Sequence, residues 1–275
     1  MVNTFKDIVK YKQPELKKMI VAYLEKQGKY KPLVGDGFIY AEGDIPVMLV
    51  AHMDTVHKTP VETIYHDQEQ DVIWSPQGIG GDDRCGVYAI LKIIATHKPY
   101  ILFTEDEEIG CVGAEKFVTM VQQPSIDKIK YIIELDRRGK KDCVFYQCGN
   151  KEFQDYVEGF GFKKAYGSYS DICTISDEWE IASVNLSVGY YHEHTLQEVV
   201  KFKQLEKTIE KVITMLDDAN NAEYYDFERE ISHYNIYNNY DDYNWGQNGF
   251  TKYEDKTYYN AKTGEIVEKN DNTLD

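Results

Sequence analysis

The sequence predicts a three-layer α/β/α sandwich on a mixed, largely parallel central sheet, and three observations lead there. Short apolar runs of strand length recur along the chain, helical patterns fall between them, and several runs end abruptly in acids or a histidine. Strands alternating with helices are the signature of a largely parallel sheet covered on both faces. Loops beyond the carboxyl ends of such strands are where open α/β sheets place their ligands.

Taken in order, residues 14–24 read as an opening amphipathic helix with Pro14 in its first turn. Strands are expected near 33–40, 46–51, 63–67, 71–75, 99–104, 129–136, 143–148 and 181–188, with helices near 83–96, 112–121, 151–160 and 197–217. With 42% hydrophobic residues over 275, the chain can bury a full core. The expected organisation is a folded domain over 1–218 and a C-terminal extension over 219–275.

Charge and composition narrow the function classes. A net charge of -16 argues against nucleic-acid or anionic-membrane partners. No apolar stretch reaches the roughly 18 residues that a membrane span needs. The N-terminus mixes Lys, Asp and Glu without a hydrophobic signal region, so the cytoplasm is the expected location. Five scattered cysteines, an odd number, fit reduced thiols rather than a disulfide framework.

The chemistry sits at the ends of the runs. Val47-Met48-Leu49-Val50-Ala51 leads into His52-Met53-Asp54. Gly78-Ile79-Gly80-Gly81-Asp82-Asp83-Arg84 is a glycine-rich turn with adjacent carboxylates before a helical pattern, where a carboxylate can bridge two cations or simply cap the helix. A nucleotide site fits less well, because the phosphate-binding lysine is missing and two carboxylates repel phosphate. Ile101-Leu102-Phe103-Thr104 runs into four consecutive acids, Glu105 to Glu108, whose mutual repulsion makes metal a natural counter-charge. Tyr131-Ile132-Ile133-Glu134-Leu135 ends in Asp136-Arg137-Arg138, and Leu186-Ser187-Val188 leads to His192-Glu193-His194. Nitrogen and oxygen donors without cysteine suit zinc, cobalt or manganese better than a thiolate or iron–sulfur centre.

The ordered set His-x-Asp, Asp-Asp-Arg-x-Gly, Glu-Glu, Asp and His-Thr-x-x-Glu, from Val47 to about Val200, resembles the M20/M28/M42 superfamily of co-catalytic zinc peptidases. The motif wording leans toward M20. M20 members usually carry a lid or dimerisation domain between the fourth and fifth ligands, however, and only 57 residues separate Asp136 from His194, so the compact layout is similar to M28 or M42. The resemblance implies two divalent ions, most readily zinc. It places His52 and Asp136 on one ion and Glu108 and His194 on the other, with Asp82 bridging. It implies Glu107 as general base, Asp54 fixing the ring of His52, and a cis peptide between Asp82 and Asp83. His192 is the alternative last ligand.

The activity so implied is hydrolysis of peptide bonds, as an exopeptidase on short peptides. The alternatives are a deacylase of N-acyl amino acids, or a non-catalytic binding module that uses the aromatic tail. Arg137 and Arg138 could clamp a substrate carboxylate or merely neutralise the acidic rim. Glu105, Asp106 or Glu134 could seat a free amine, and Ser170 and Asp171 lie where relatives place a substrate-contacting loop.

The extension carries nine of the 23 tyrosines and ten asparagines, with 12 acids against 5 bases. Such a polar stretch fits either disorder or a strap on the catalytic domain. Within it, 257–267 reads as a hairpin turning near 262–264. With Trp245 upstream it resembles part of a WW module, lacking the second tryptophan and the closing proline.

Overall fold

The computed structural model describes residues 4–123 and 128–230, together with the backbone of three strands between 250 and 268. Two compact units divide the chain, residues 1–229 and 230–275.

The first unit is built on an eight-stranded sheet of β1 (Leu33–Gly35), β2 (Phe38–Ala41), β3 (Ile45–His52), β6 (Pro99–Thr104), β7 (Tyr131–Arg137), β8 (Asp142–Val144), β9 (Lys163–Ala165) and β10 (Ser183–Ser187). Its order is β1-β2-β6-β3-β7-β10-β8-β9. The four central strands, β6, β3, β7 and β10, are mutually parallel, while β1, β2 and β8 join antiparallel. Parallel strands buried on both faces read as continuous apolar runs, and all eight residues of β3 except Ile45 are buried.

Alternation along the strands builds two cores. Val47, Leu49, Ala51, Ile101, Phe103, Ile133 and Leu135 point to one face. Their neighbours Met48, Val50, Tyr100, Leu102 and Ile132 point to the other. The first face is covered by α2 (Gln13–Gln27), α3 (Gly81–Ile93), α5 (Lys151–Gly159) and α7 (Phe202–Asp218). In α2, Leu16, Ile20 and Leu24 recur every fourth residue and are fully buried, each contributing roughly 1.5–3 kcal/mol relative to exposure. Gly28, at φ +66°, ends that helix in the left-handed conformation that glycine adopts without penalty. The second face carries α4 (Val112–Met120) and α6 (Asp171–Trp179), joined through Phe117 and Trp179 with ring centroids 5.0 Å apart.

Several expected elements differ in detail. The 33–40 strand is two strands around a turn at Asp36-Gly37. The pair near 63–67 and 71–75 forms, as β4 (Tyr65–Asp67) and β5 (Val72–Trp74), but leaves the central sheet and pairs with β11 (Tyr190–Tyr191) and β12 (Val199–Val200). The last helix starts at Phe202 rather than 197, because Val199 and Val200 are paired in β12. Helix α6 was not expected, nor was the short α1 (Phe5–Ile8).

The composition changes at about 218, yet the first unit continues to Arg229, with Ala222 and Tyr225 in its core. Lys130 Nζ donates to the carbonyls of Ala219, Asn220 and Ala222, satisfying acceptors that the end of α7 leaves open. In the second unit, β14 (Thr257–Asn260) pairs antiparallel with β13 (Phe250–Tyr253) and with β15 (Ile266–Glu268). This gives the anticipated hairpin, whose turn at 262–264 lies outside the described residues, as does Trp245.

Candidate metal centre

The carboxyl ends of the central strands deliver the site. His52 is the last residue of β3, and Asp136 lies one residue from the end of β7. The acidic loop 105–108 leaves β6 directly. Asp82 opens α3, and its peptide to Asp83 is cis. His194 follows β11 on a turn where both His192 and His194 have φ near +61°, a region rarely used by residues other than glycine.

Two glycines allow this convergence. A Cβ on Gly81 would stand 2.7 Å from Tyr190 Cβ and 2.9 Å from Val200 Cγ2. One on Gly86 would stand 2.2 Å from the Leu135 carbonyl oxygen, so α3 can lie against β7 only without a side chain there.

Asp82 is the centre of the arrangement. Its Oδ1 lies 3.0 Å from His52 Nε2, and that same nitrogen lies 3.6 Å from Asp136 Oδ1. Its Oδ2 lies 3.2 Å from His194 Nε2, which in turn lies 3.0 Å from Glu108 Oε2. One carboxylate therefore faces a different histidine on each of its oxygens. Donor atoms of His52, Asp82 and Glu108 fall within 4.8 Å of one another, as do those of His52, Asp83 and Asp136. Proximity thus brings in Asp83, but its lone pairs are engaged by the backbone, Oδ1 by Gly86 N–H at 2.8 Å and Oδ2 by His52 N–H at 3.3 Å.

The electrostatics call for cations. Burial, followed by the charge of Asp82, pushes Asp136 well above the usual carboxylate range. The same two causes carry Glu108 to about 7, and burial leads in raising Glu107. Asp82 is lowered instead, because hydrogen bonds from His194 and His52 outweigh its burial. Despite complete burial, His52 is raised well above its ordinary value, chiefly by the charge of Asp136, and the hydrogen bond to Asp82 raises His194 to about 9. Two imidazoles cannot neutralise this many carboxylates in a dry pocket, and divalent ions can. Glu108 Oε1 is buried with no hydrogen-bond partner among the described residues, as an open ligand atom would be. The donor set fits zinc and its neighbours.

Around these groups lies a layer that aims them. Asp54 Oδ1 lies 3.1 Å from His52 Nδ1, which as donor leaves Nε2 free to face Asp82 and Asp136. The two oxygens of Asp54 also accept the N–H groups of Glu107 at 3.1 Å and Glu108 at 3.0 Å. Burial would raise Asp54, but His52 and these two amides outweigh it and hold it at about 2.

Glu198 has a comparable task that sequence reasoning missed. Fully buried, it accepts Asp82 N–H on Oε1 at 2.9 Å, and Gly80 N–H at 2.8 Å and His57 Nε2 at 2.9 Å on Oε2. It ties the glycine-rich turn to β12. Its place in His194-Thr195-x-x-Glu198 was the available signal, while His57 had none.

The remaining candidates differ in their surroundings. Arg137 donates to the Tyr166 carbonyl at 3.0 Å, and Arg138 pairs with Glu193 at 2.7 Å, so both guanidinium groups have protein partners. Asp171 is not open to substrate as the loop reading supposed. It is fully buried at the start of α6 and accepts the Thr104 hydroxyl, and burial raises it to about 7. Ser170 Oγ lies 3.3 Å from Asp136 Oδ2. Glu105 is paired with Lys17 at 2.5 Å, Asp106 accepts Gln13 Nε2 at 3.1 Å, and Glu134 is fully buried in β7. Between His192 and His194, it is the ring of His194 that meets Asp82 and Glu108.

Comparison with known proteins agrees with this architecture. The model of peptidase family M28 matches residues 40–176, a span that holds His52, Asp54, Asp82, Glu107, Glu108 and Asp136 and stops before His194. The fold is similar to that of the aminopeptidase PepT from Bacillus cereus, with a TM-score of 0.63 at 15% identity over 80% of this chain and 98% of that one. It is likewise similar to a tripeptidase from Staphylococcus aureus, with a TM-score of 0.64 at 13% identity over 80% and 98%. A glutaminyl cyclase from Porphyromonas gingivalis shares it at a TM-score of 0.54 and 16% identity over 78% and 95%, so the fold alone does not fix the reaction. A sequence comparison with curated proteins finds no match. No helix among the described residues is long and apolar enough to cross a membrane.

Proposed function

We propose that this chain is a metal-dependent exopeptidase that hydrolyses amide bonds of short peptides with two divalent ions, zinc first and cobalt or manganese as alternatives. The observation that carries the reading is Asp82, each of whose oxygens meets a different histidine, each histidine in turn meeting a different acid. Side chains placed this way would hold one ion among His52, Asp82 and Asp136 and another among His194, Asp82 and Glu108. When bound, such a pair supplies Lewis-acid polarisation of the scissile carbonyl and acidifies water. M20-like motif wording in a compact chain without a lid is consistent with this reading, as is the M28 match.

Glu107 is the general base. Among the described residues its carboxylate accepts only the weak Cys111 Sγ–H at 3.7 Å, and burial leads in shifting it upward, which suits a group that takes a proton. It would accept the proton of the attacking water and then pass it to the departing amine. Asp54 holds the His52 tautomer and, through the two amides, the position of Glu107 itself.

The test is hydrolysis of dipeptides, aminoacyl amides and N-acetyl amino acids with zinc, cobalt or manganese supplied, for the native chain and Glu107→Ala. Turnover of peptides with a free amine, falling by roughly 10²–10⁴ in the variant, is the expected result. Turnover of N-acetyl substrates alone would shift the reading to a deacylase, and no turnover of any substrate would overturn it.

A further inference from the structure

Beside the metal centre lies a cavity of about 190 Å³, lined by Lys10, Lys12, Lys58, Thr55, Gly80 and Arg84 among others, with no acid in its lining. In a chain of net charge -16, a cavity walled by four cations and no carboxylate is a concentration of charge that solvation of the surface does not require. None of the three lysines has an ion-pair partner among the described residues.

Two buried polar atoms here have no hydrogen-bond partner among the described residues, Thr55 Oγ1 and Arg84 Nε, and both can donate. Arg84 is 2% exposed, its other nitrogens donating to the Met53 and Tyr11 carbonyls. Unpaired cations and orphaned donors around one cavity call for an anionic acceptor.

Three of the lining residues lead to the chemistry, through the chain or a hydrogen bond. Thr55 directly follows Asp54, Gly80 stands two residues before Asp82, and Gln13 on the rim donates to Asp106, the neighbour of Glu107. Its volume is below the roughly 300–1,000 Å³ of sites that enclose a whole drug-sized ligand, which suits one charged end of a small molecule.

We propose that this cavity receives the terminal carboxylate of the substrate, which makes the site selective for short peptides with a free C-terminus. The inference rests on the exopeptidase reading, and it gives to Lys10, Lys12 and Lys58 the carboxylate-binding task for which Arg137 and Arg138 were the sequence candidates.

The experiment compares dipeptides and tripeptides as free acids and as C-terminal amides, on the zinc-loaded full chain and on the triple variant Lys10→Ala, Lys12→Ala, Lys58→Ala. All three lysines are exposed, so the variant should keep the native melting temperature. The native chain should prefer the acid, and the triple variant should lose roughly tenfold or more in kcat/KM on the acid, mainly through KM, with the amide unchanged. Equal cleavage of acid and amide by the native chain, or an equal loss on both in the variant, overturns the carboxylate site and leaves the peptidase standing. Should no peptide be hydrolysed, titration calorimetry of the same acid and amide pair still decides. Tighter binding of the acid that the triple variant abolishes supports the site, and equal binding of both overturns it.

Discussion

The two halves of the candidate metal centre are unlike. The His52 side chain is completely shielded from solvent, flanked by Asp54 and Asp136, and rooted in the central strands. The His194 side chain is 55% exposed and rides on a turn beyond a two-residue strand. Both face Asp82, one on each of its oxygens. The difference teaches that the first half belongs to the core of the protein, where each charge depends on its partner, whereas the second stands open to solvent.

Removing the shared group gives the largest effect. Asp82→Ala should release both ions together and reduce hydrolysis to background, as read by bound metal and turnover; an active variant with normal metal content would dissolve the comparison at its root.

The histidines separate the halves. His52→Ala should lose an ion and also destabilise the metal-free fold by roughly 3–5 kcal/mol, because Asp54 is left as a buried charge without its partner. His194→Ala should lose an ion with a stability change within about 1 kcal/mol, since its ring is largely in water. Thermal unfolding of both variants in chelator checks this, and equal losses would show that the halves are alike.

A smaller effect is expected one layer out. Asp54→Asn should weaken metal affinity or turnover by roughly 10–100-fold, because the amide can present N–H where His52 Nδ1 and the amides of Glu107 and Glu108 need an acceptor. Glu198→Gln should act on both halves through Asp82, with a loss of roughly 1–3 kcal/mol in stability or metal binding, since three donors converge on its two oxygens. If competition with a zinc chelator showed it weakening only one ion, its hold on the bridging group would be disproved. Arg138→Ala should be the mildest, within about 1 kcal/mol and with kcat unchanged, because its pair with Glu193 is exposed.

How far the sequence foretold this follows from the range of the interactions involved. The buried half was legible because strand periodicity and a terminal acid or histidine are local patterns, as at His52 and Asp136. Helix α6 was missed although Ile172, Ile175 and Trp179 stand at helical spacing, since acids and hydroxyls between them read as loop. Glu198 was visible as part of a motif, but its partners lie more than a hundred residues earlier, and nothing local states that a glutamate will be fully buried. The lysine-lined cavity was illegible for the same reason, since the connection between α1 and α2 brings Lys10 and Lys12 beside Lys58 only in the folded chain.

The most direct measurement of the central claim is the number of divalent ions bound per chain, by elemental mass spectrometry after zinc reconstitution, for the native protein and His194→Ala side by side. Two distinct donor sets sharing Asp82 predict about two ions in the native chain and about one in the variant. A native chain that holds one ion or none, or a variant that binds as many as the native chain, would contradict the dinuclear centre.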